Sequence, residues 1–443
     1  MIPPKNGITF SLFLYRIRRE SIIKTNSKIE PQQSVITKKH SLNHYFYLLW
    51  SSQTIESFGR QITIIALPLI AINHLSSGNF AVSLISFLSF LPNLLLGFHA
   101  GALVDRMNRK RVMLFCQSMN ACLLLIIPIS YLRGFLSIEV VLAVAFLTGC
   151  CSIFYQISYS SYLPEIVPSQ SLLNGNAKLE VTNGAAQVAG PGIGGYIIQL
   201  LTAPIAVFLD AVSFIISFIL TLFLPESRVK KRDPSNRQSV WKDIGEGIAF
   251  TFQHQILRPI LISYSLSVLF IGLYQSISVI YMTRSLNFSA SDIGVILGLG
   301  NAGFLVGALI SRKLAEKLGV GRVIVGSLGL LAVGFLIIGS VPNNQYTLYL
   351  LLLGQFLLSM GVPIYNVNLV SLRQAITPGH LLGRVNSVSK VFGRGLVPVG
   401  AVIGGILATT IEVRYAVIAA GIGGILSILP ALFSEVINMK TID

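Results

Sequence analysis

Acidic side chains are scarce in this chain. Of 443 residues only 17 are Asp or Glu, against 33 Lys or Arg, and charged residues make up 11% of the whole. A soluble domain carries about a quarter charged residues, so a wholly water-facing surface is excluded for a chain of this length. Histidine is rare too, at 6 residues, and no His, Asp or Glu cluster has the spacing of a zinc site. The four cysteines, Cys116, Cys122, Cys150 and Cys151, all lie in apolar segments, where they read as small buried residues and imply neither disulfides nor metal. A phosphate-binding Walker loop is missing, which argues against ATP drive. The chain is not expected to be an enzyme or to carry a cofactor or metal.

What fills the chain instead is apolar. Hydrophobic residues reach 53% and the mean hydropathy is +0.72. Twelve apolar segments, each near the ~20 residues that span hydrocarbon, are expected at about 46–73, 81–104, 112–132, 137–160, 173–200, 203–224, 257–283, 291–314, 321–341, 346–371, 384–410 and 413–436. The bases collect between them: in the N-terminal tail, at 105–111, in the 225–256 linker, in a turn at 312–322 and at Arg373. The other set of connections holds only Arg133, Arg284 and Arg414. The heavily basic side is cytoplasmic by the positive-inside rule, and an even number of spans puts both termini there. The net charge of +16 is therefore accounted for by orientation in a plasma or inner membrane, not by nucleic acid.

This divides the chain into a basic tail over 1–45, a six-helix unit over 46–224, a linker over 225–256, a second six-helix unit over 257–437 and a short tail over 438–443. Residues 239–252 alternate at helical spacing, which predicts an amphipathic surface helix. The units repeat. Gly97-Phe98 and Gly101-Ala102-Leu103 recur 206 positions on at Gly303-Phe304 and Gly307-Ala308-Leu309. Asn176 and Gly194-Gly195 recur 210 positions on at Asn386 and Gly404-Gly405. Both landmarks support a duplicated six-helix unit.

The polar stretch Gly101-Ala102-Leu103-Val104-Asp105-Arg106-Met107-Asn108-Arg109-Lys110-Arg111 lies between spans 2 and 3. It resembles the loop of the major facilitator superfamily that reads G-x-L-a-D-R-x-G-R-[RK]. Asn108 stands where that family has Gly, and Asn tolerates a left-handed backbone. Three further stretches resemble the superfamily branch of enterobactin exporters and macrolide efflux proteins. They are Tyr162-Leu163-Pro164-Glu165, Ala189-Gly190-Pro191-Gly192-Ile193-Gly194-Gly195 and Asp210-Ala211-Val212-Ser213-Phe214. The resemblance implies an all-α membrane protein with twelve transmembrane helices in two pseudo-symmetric halves. It implies a secondary transporter that exports a small amphipathic molecule, such as a drug, macrolide or siderophore-like compound, by alternating access with proton antiport. It further implies a conformational switch of Gly101, Asp105, Arg106, Arg109 and Lys110, joined by Glu165, and a gate or bend at Gly190, Pro191, Gly194 and Gly195. The expected partners are the small molecule, protons and the bilayer, and a monomer is expected. Import of another solute or lipid, and a non-transporting receptor or scaffold, are the alternatives.

Ionisable groups inside spans are expensive, so each is a functional candidate. Glu56 and Arg60 stand at i and i+4 on span 1, beside Gln53, and can neutralise one another. Glu180 of span 5 corresponds by the repeat to Lys390 of span 11, which shares a face with Arg394. That pairing suggests an inter-domain lock, and the two bases suit an anionic substrate. Asp210 is expected near the start of its helix, complementing the helix dipole. His99 is a lesser candidate. A static ion pair, snorkelling bases and packed glycines are the bland readings of the same residues.

Overall fold

The computed structural model describes residues 43–104, 106–168, 171–227, 240–379 and 381–439. The basic tail, Asp105 and most of the charged part of the linker lie outside the described residues, as do the side chains of Lys390 and Arg394. Among the described residues thirteen α-helices follow one another: α1 (His44–Leu69), α2 (Asn79–Val104), α3 (Arg109–Leu132), α4 (Ile138–Ile166), α5 (Leu172–Leu201), α6 (Ala203–Leu222), α7 (Val240–Gln253), α8 (Leu257–Ile280), α9 (Ala290–Leu318), α10 (Val320–Gly339), α11 (Thr347–Ile376), α12 (Leu382–Thr410) and α13 (Val413–Leu432).

Eleven of these are long and apolar enough to cross a membrane, counted among the described residues; α5 is the long helix that falls short. Its first half carries Asn174, Asn176, Lys178, Glu180 and Asn183. Its packing on α1 and α9 supplies the cover that lipid would otherwise have to give. The basic run at 312–318 is not a turn: α9 continues through it to Leu318, and Gly319, at φ +88°, is the single residue before α10. The helix α7 agrees with the amphipathic segment read from the sequence. It packs on α12, where Glu246 pairs with Arg384 and Phe252 meets the Phe392 ring at 5.9 Å.

The duplication is visible in matching contacts. α1 and α8 both end in a π-helical turn, Ile70–His74 and Tyr281–Ser285, followed by Ser76 and Asn287 at positive φ. Those residues are 211 apart. Gly194 of α5 lies against Ile62 of α1, and Gly404 of α12 against Leu273 of α8. Gly195 then faces Ala290 and Gly294 of α9, while Gly405 faces Phe80 and Ser83 of α2. Within each pair the first glycine seals its own half and the second seals against the other half. The Gly-Phe landmark with offset 206 is out of this register by more than one helical turn. Accordingly Gly303 and Gly307 touch α11 backbone, while a Cβ on Gly97 or Gly101 would meet nothing.

The two halves meet along α5–α9 and α2–α12. The contacts run from the end opposite the basic loops to the middle of the helices. Arg284 donates to Asn79 Oδ1 and, at 2.5 Å, to the Ser77 carbonyl, and Asn79 Nδ2 donates to the Ala408 carbonyl at 2.6 Å. A Cβ on Gly395 would touch Leu94 near mid-helix, whereas one on Gly97 or Gly101, further along α2, would meet nothing. Among the described residues these contacts between the halves gather at the sparsely charged end and mid-helix.

Candidate functional site: a buried polar centre on α1

One face of α1 carries Ser52, Glu56, Gly59 and Thr63, spaced four, three and four residues apart and turned to α6. A Cβ on Gly59 would lie 2.6 Å from Asp210 Oδ1 and against the Ser213 side chain, so polar groups of α6 take the space a side chain would need. Glu56 is 1% exposed and accepts from Arg60 Nη2 at 2.6 Å, while the Arg60 side chain is 47% exposed. The pair is thus formed as the sequence spacing predicts, but asymmetrically. The acid is tucked between helices and the base reaches open space. Arg60 shares a strip with Gln53 and Ser57, the latter hydrogen-bonded to Asn183 of α5 at 3.2 Å. Polar side chains at mid-helix belong against the bundle interior, not lipid.

Around Glu56 lie residues that the sequence reading did not single out. Ser217 of α6 donates towards Glu56 Oε2 at 3.5 Å and lies 3.2 Å from the Ser52 carbonyl. Gln53 donates to Tyr155 of α4, and Gln117 of α3 donates to Ser217 Oγ at 2.9 Å and to Tyr155 at 3.3 Å. Ser52 and Ser217 share a hydroxyl contact of 2.5 Å. Two amides in the otherwise apolar α3, Gln117 and Asn120, were the available signal. Asp210 is not in the first turn of its helix. It sits two turns in, buried, accepting from Thr63 and, at 3.1 Å, from Ser213. Its role there is to be satisfied by hydroxyls, not by a helix dipole.

The second half has no acid at the equivalent place. Ser267 and Ser427, 211 and 210 residues beyond Glu56 and Ser217, form a 2.7 Å hydrogen bond instead. Amides dominate this half: Gln355 donates to Asn301 Oδ1 at 3.3 Å and accepts from Tyr274 at 3.1 Å. Asn301 also donates to the Gln187 carbonyl at 2.9 Å. That carbonyl is the one Pro191 leaves without an N–H, so α5 continues through its proline with α9 supplying the missing donor. Gly190 meanwhile receives Gln61 of α1. The Gly190–Gly195 segment is therefore a contact seam held by neighbours on both sides.

At the basic end, Arg109 pairs with Glu165 and donates to the Ser161 carbonyl at 3.3 Å, joining α3 to α4. Lys110 is buried and donates to the Leu222 and Leu224 carbonyls at 3.0 and 2.6 Å, which satisfies the end of α6. Asn108 is not left-handed. At φ −69° it is the N-cap of α3, accepting from the Arg111 N–H at 3.2 Å, a task glycine has no side chain to perform. Arg106 is exposed, as are Glu180 on α5 and His99 on α2. Glu180 and Lys390 stand on helices that pack on different neighbours, α5 on α1 and α9, and α12 on α8 and α2.

Residues 41–443 match the family model described as "Transmembrane secretion effector". The multidrug efflux pump Tap of Mycolicibacterium fortuitum is 25% identical over 358 residues, covering 79% of this chain and 86% of Tap. Macrolide efflux protein A of Streptococcus pyogenes is 20% identical over 380 residues, covering 85% of this chain and 92% of that protein. A match to the Bacillus subtilis transporter YfiS, 25% identical, spans 60% of this chain and 63% of that relative. Among solved structures, a bacterial homologue of the iron transporter ferroportin superposes with a TM-score of 0.69 in its inward-facing state, at 18% identity over 89% of this chain and 99% of that one. Its outward-facing state gives 0.56, at 19% identity over 88% and 99%.

Proposed function

The chain belongs to the transmembrane secretion effector family of major facilitator transporters, and from that premise we propose that it exports a small amphipathic molecule in exchange for protons. The observation that carries this reading is the split character of the Glu56–Arg60 pair, with a buried acid and a base exposed to the cavity strip. While Glu56 is ionised it neutralises Arg60, and the strip accepts a neutral or cationic amphiphile. A proton on Glu56 breaks the pair and leaves Arg60 as an uncompensated positive charge in the cavity, which expels such a cargo. Proton and cargo then exclude one another through Arg60, without competing for the same oxygen. The efflux activities named for Tap and macrolide efflux protein A support export as the direction.

The basic end is taken as cytoplasmic, and with the contacts between the halves gathered away from it the state described above is read as inward-open. Alternation closes that end while the α5–α9 and α2–α12 seams part at the other. Arg109–Glu165 is proposed to steady the α3–α4 end as this happens, with Gly101, Asp105, Arg106 and Lys110 in the same switch. Glu180 and Lys390 with Arg394 are proposed to meet only when the cytoplasmic end closes. The protein is proposed to act as a monomer in the plasma or inner membrane.

The test is accumulation of a labelled drug panel in efflux-deficient cells expressing the chain, with and without a protonophore. Lower accumulation that the protonophore abolishes, and that E56Q abolishes without loss of protein, is the expected result. Full-rate pumping by E56Q would refute the coupling role of the pair.

A further inference from the structure

Two carbonyl oxygens on α3, Gln117 Oε1 and Asn120 Oδ1, are buried without a hydrogen-bond partner. Both residues are among the most buried polar groups of the chain. They stand one turn apart, at i and i+3, and so on adjoining parts of one face. An orphaned buried acceptor costs about 1–3 kcal/mol, and two of them side by side call for a reason.

The other end of Gln117 supplies one. Its amide nitrogen has two hydrogens and lies within hydrogen-bond distance of three hydroxyls, those of Ser217, Tyr155 and Ser52. Ser217 Oγ in turn stands 3.5 Å from Glu56 Oε2 and 3.2 Å from the Ser52 carbonyl. With its oxygen accepting from Gln117, the Ser217 hydroxyl is left to donate, and an ionised Glu56 can receive it. A protonated Glu56 reverses the demand. It donates its own hydrogen to one of these hydroxyls, which must then donate onward. A Gln117 turned by a half rotation offers an acceptor there, beside the Ser52 carbonyl, and brings its own orphaned oxygen to the three hydroxyls that Nε2 faces.

We propose that Gln117 is the positioning residue of the Glu56 site, its side-chain amide turning over as Glu56 gains or loses its proton. The inference rests on the proposed coupling role of Glu56 and adds how the proton is reported to α3, α4 and α6. The charged and titratable groups around Glu56 are Arg60 on its own helix, Cys116 on α3, Tyr155 and Tyr159 on α4 and Asp210 on α6, with Glu180 of α5 facing Tyr159. Gln117 is neutral throughout, so it acts by orientation alone.

The experiment is infrared pH-difference spectroscopy on the purified full chain, which needs no cargo. It reads the protonated carboxyl band and the glutamine amide carbonyl band. The expected result is a carboxyl signal lost in E56Q, accompanied by an amide signal lost in both E56Q and Q117M. In Q117M the carboxyl titration should also move toward alkaline pH, by about tenfold in proton concentration, because the ionised form loses its oriented donors. Should Q117M not fold, S217A removes one oriented hydroxyl without added bulk and must move the titration the same way. An amide signal that persists in E56Q, or a titration unmoved in the folded variant, overturns the role of Gln117. A carboxyl signal that persists in E56Q instead overturns the coupling role of Glu56 itself.

Discussion

Gly195 gives the sharpest test of how the halves alternate. A Cβ placed there would overlap the Ala290 carbonyl and lie 2.9 Å from Gly294 Cα, and both obstacles are backbone. Neither can turn aside as a flexible side chain would. G195A therefore penalises only the state in which the outer ends of α5 and α9 are in contact. The overpacking is worth about 1–3 kcal/mol, and such a difference shifts a two-state ratio about 5- to 150-fold. The helix-propensity gain of alanine over glycine is common to both states and cancels. G192A is the internal control, since a Cβ there meets only the Gly294 carbonyl at an ordinary 3.9 Å. Spin labels at Leu200 of α5 and Val295 of α9, both exposed, report the separation by pulsed electron–electron resonance. G195A should populate a longer distance and G192A should not. A G195A distribution like that of the unmodified chain, or an equal response to G192A, would refute the seam as the outer gate.

Other outcomes follow from the same geometry. R284A removes two hydrogen bonds that tie the π-turn after α8 to Ser77 and to Asn79 at the start of α2 only when the outer end is shut. Because the guanidinium is exposed, a shift of about fivefold toward the outward-open state is expected, read by labels at Gly78 and Ile411. N301L strands the Gln187 carbonyl next to Pro191 and should lower stability by about 1–3 kcal/mol, seen as earlier thermal unfolding in detergent. K110M leaves the α6 terminal carbonyls without their donor and should cost about 1–2 kcal/mol by the same assay, although methionine fills the space well.

Much of the architecture was legible in the chain because the bilayer imposes a simple rule. Backbone groups must be satisfied within a helix, so length and apolarity locate the spans, and loop charge orients them. The Glu56–Arg60 pair was legible for a related reason: i and i+4 always adjoin on a helix. The exceptions are instructive. Span 5 was expected as one of twelve apolar segments, yet its polar first half makes it the long helix that falls short of the simple criterion. The basic run at 312–318 was mistaken for a turn because charge marks the edge of the membrane, and a helix can continue past that edge. The matched Gly-Phe landmarks were out of register because sequence similarity is one-dimensional, whereas equivalence is fixed by which neighbour each glycine touches.

Which side chains meet across helices far apart in sequence is a matter of the packed bundle alone. Gln117, Tyr155 and Ser217 surround Glu56 from three different helices, and no periodicity within one segment can bring them together. Asp210 was misplaced for the same reason, since its partners Thr63 and Ser213 are set by the α1–α6 approach at Gly59. The latch of Arg284 on Asn79 joins residues 205 apart. Segment lengths and loop charge specify a two-fold, twelve-span membrane protein with a charged pair in its first span. The packing adds that the acid of that pair is buried and that its base is not. Burial depends on the neighbours a helix acquires, and those are chosen by the whole bundle.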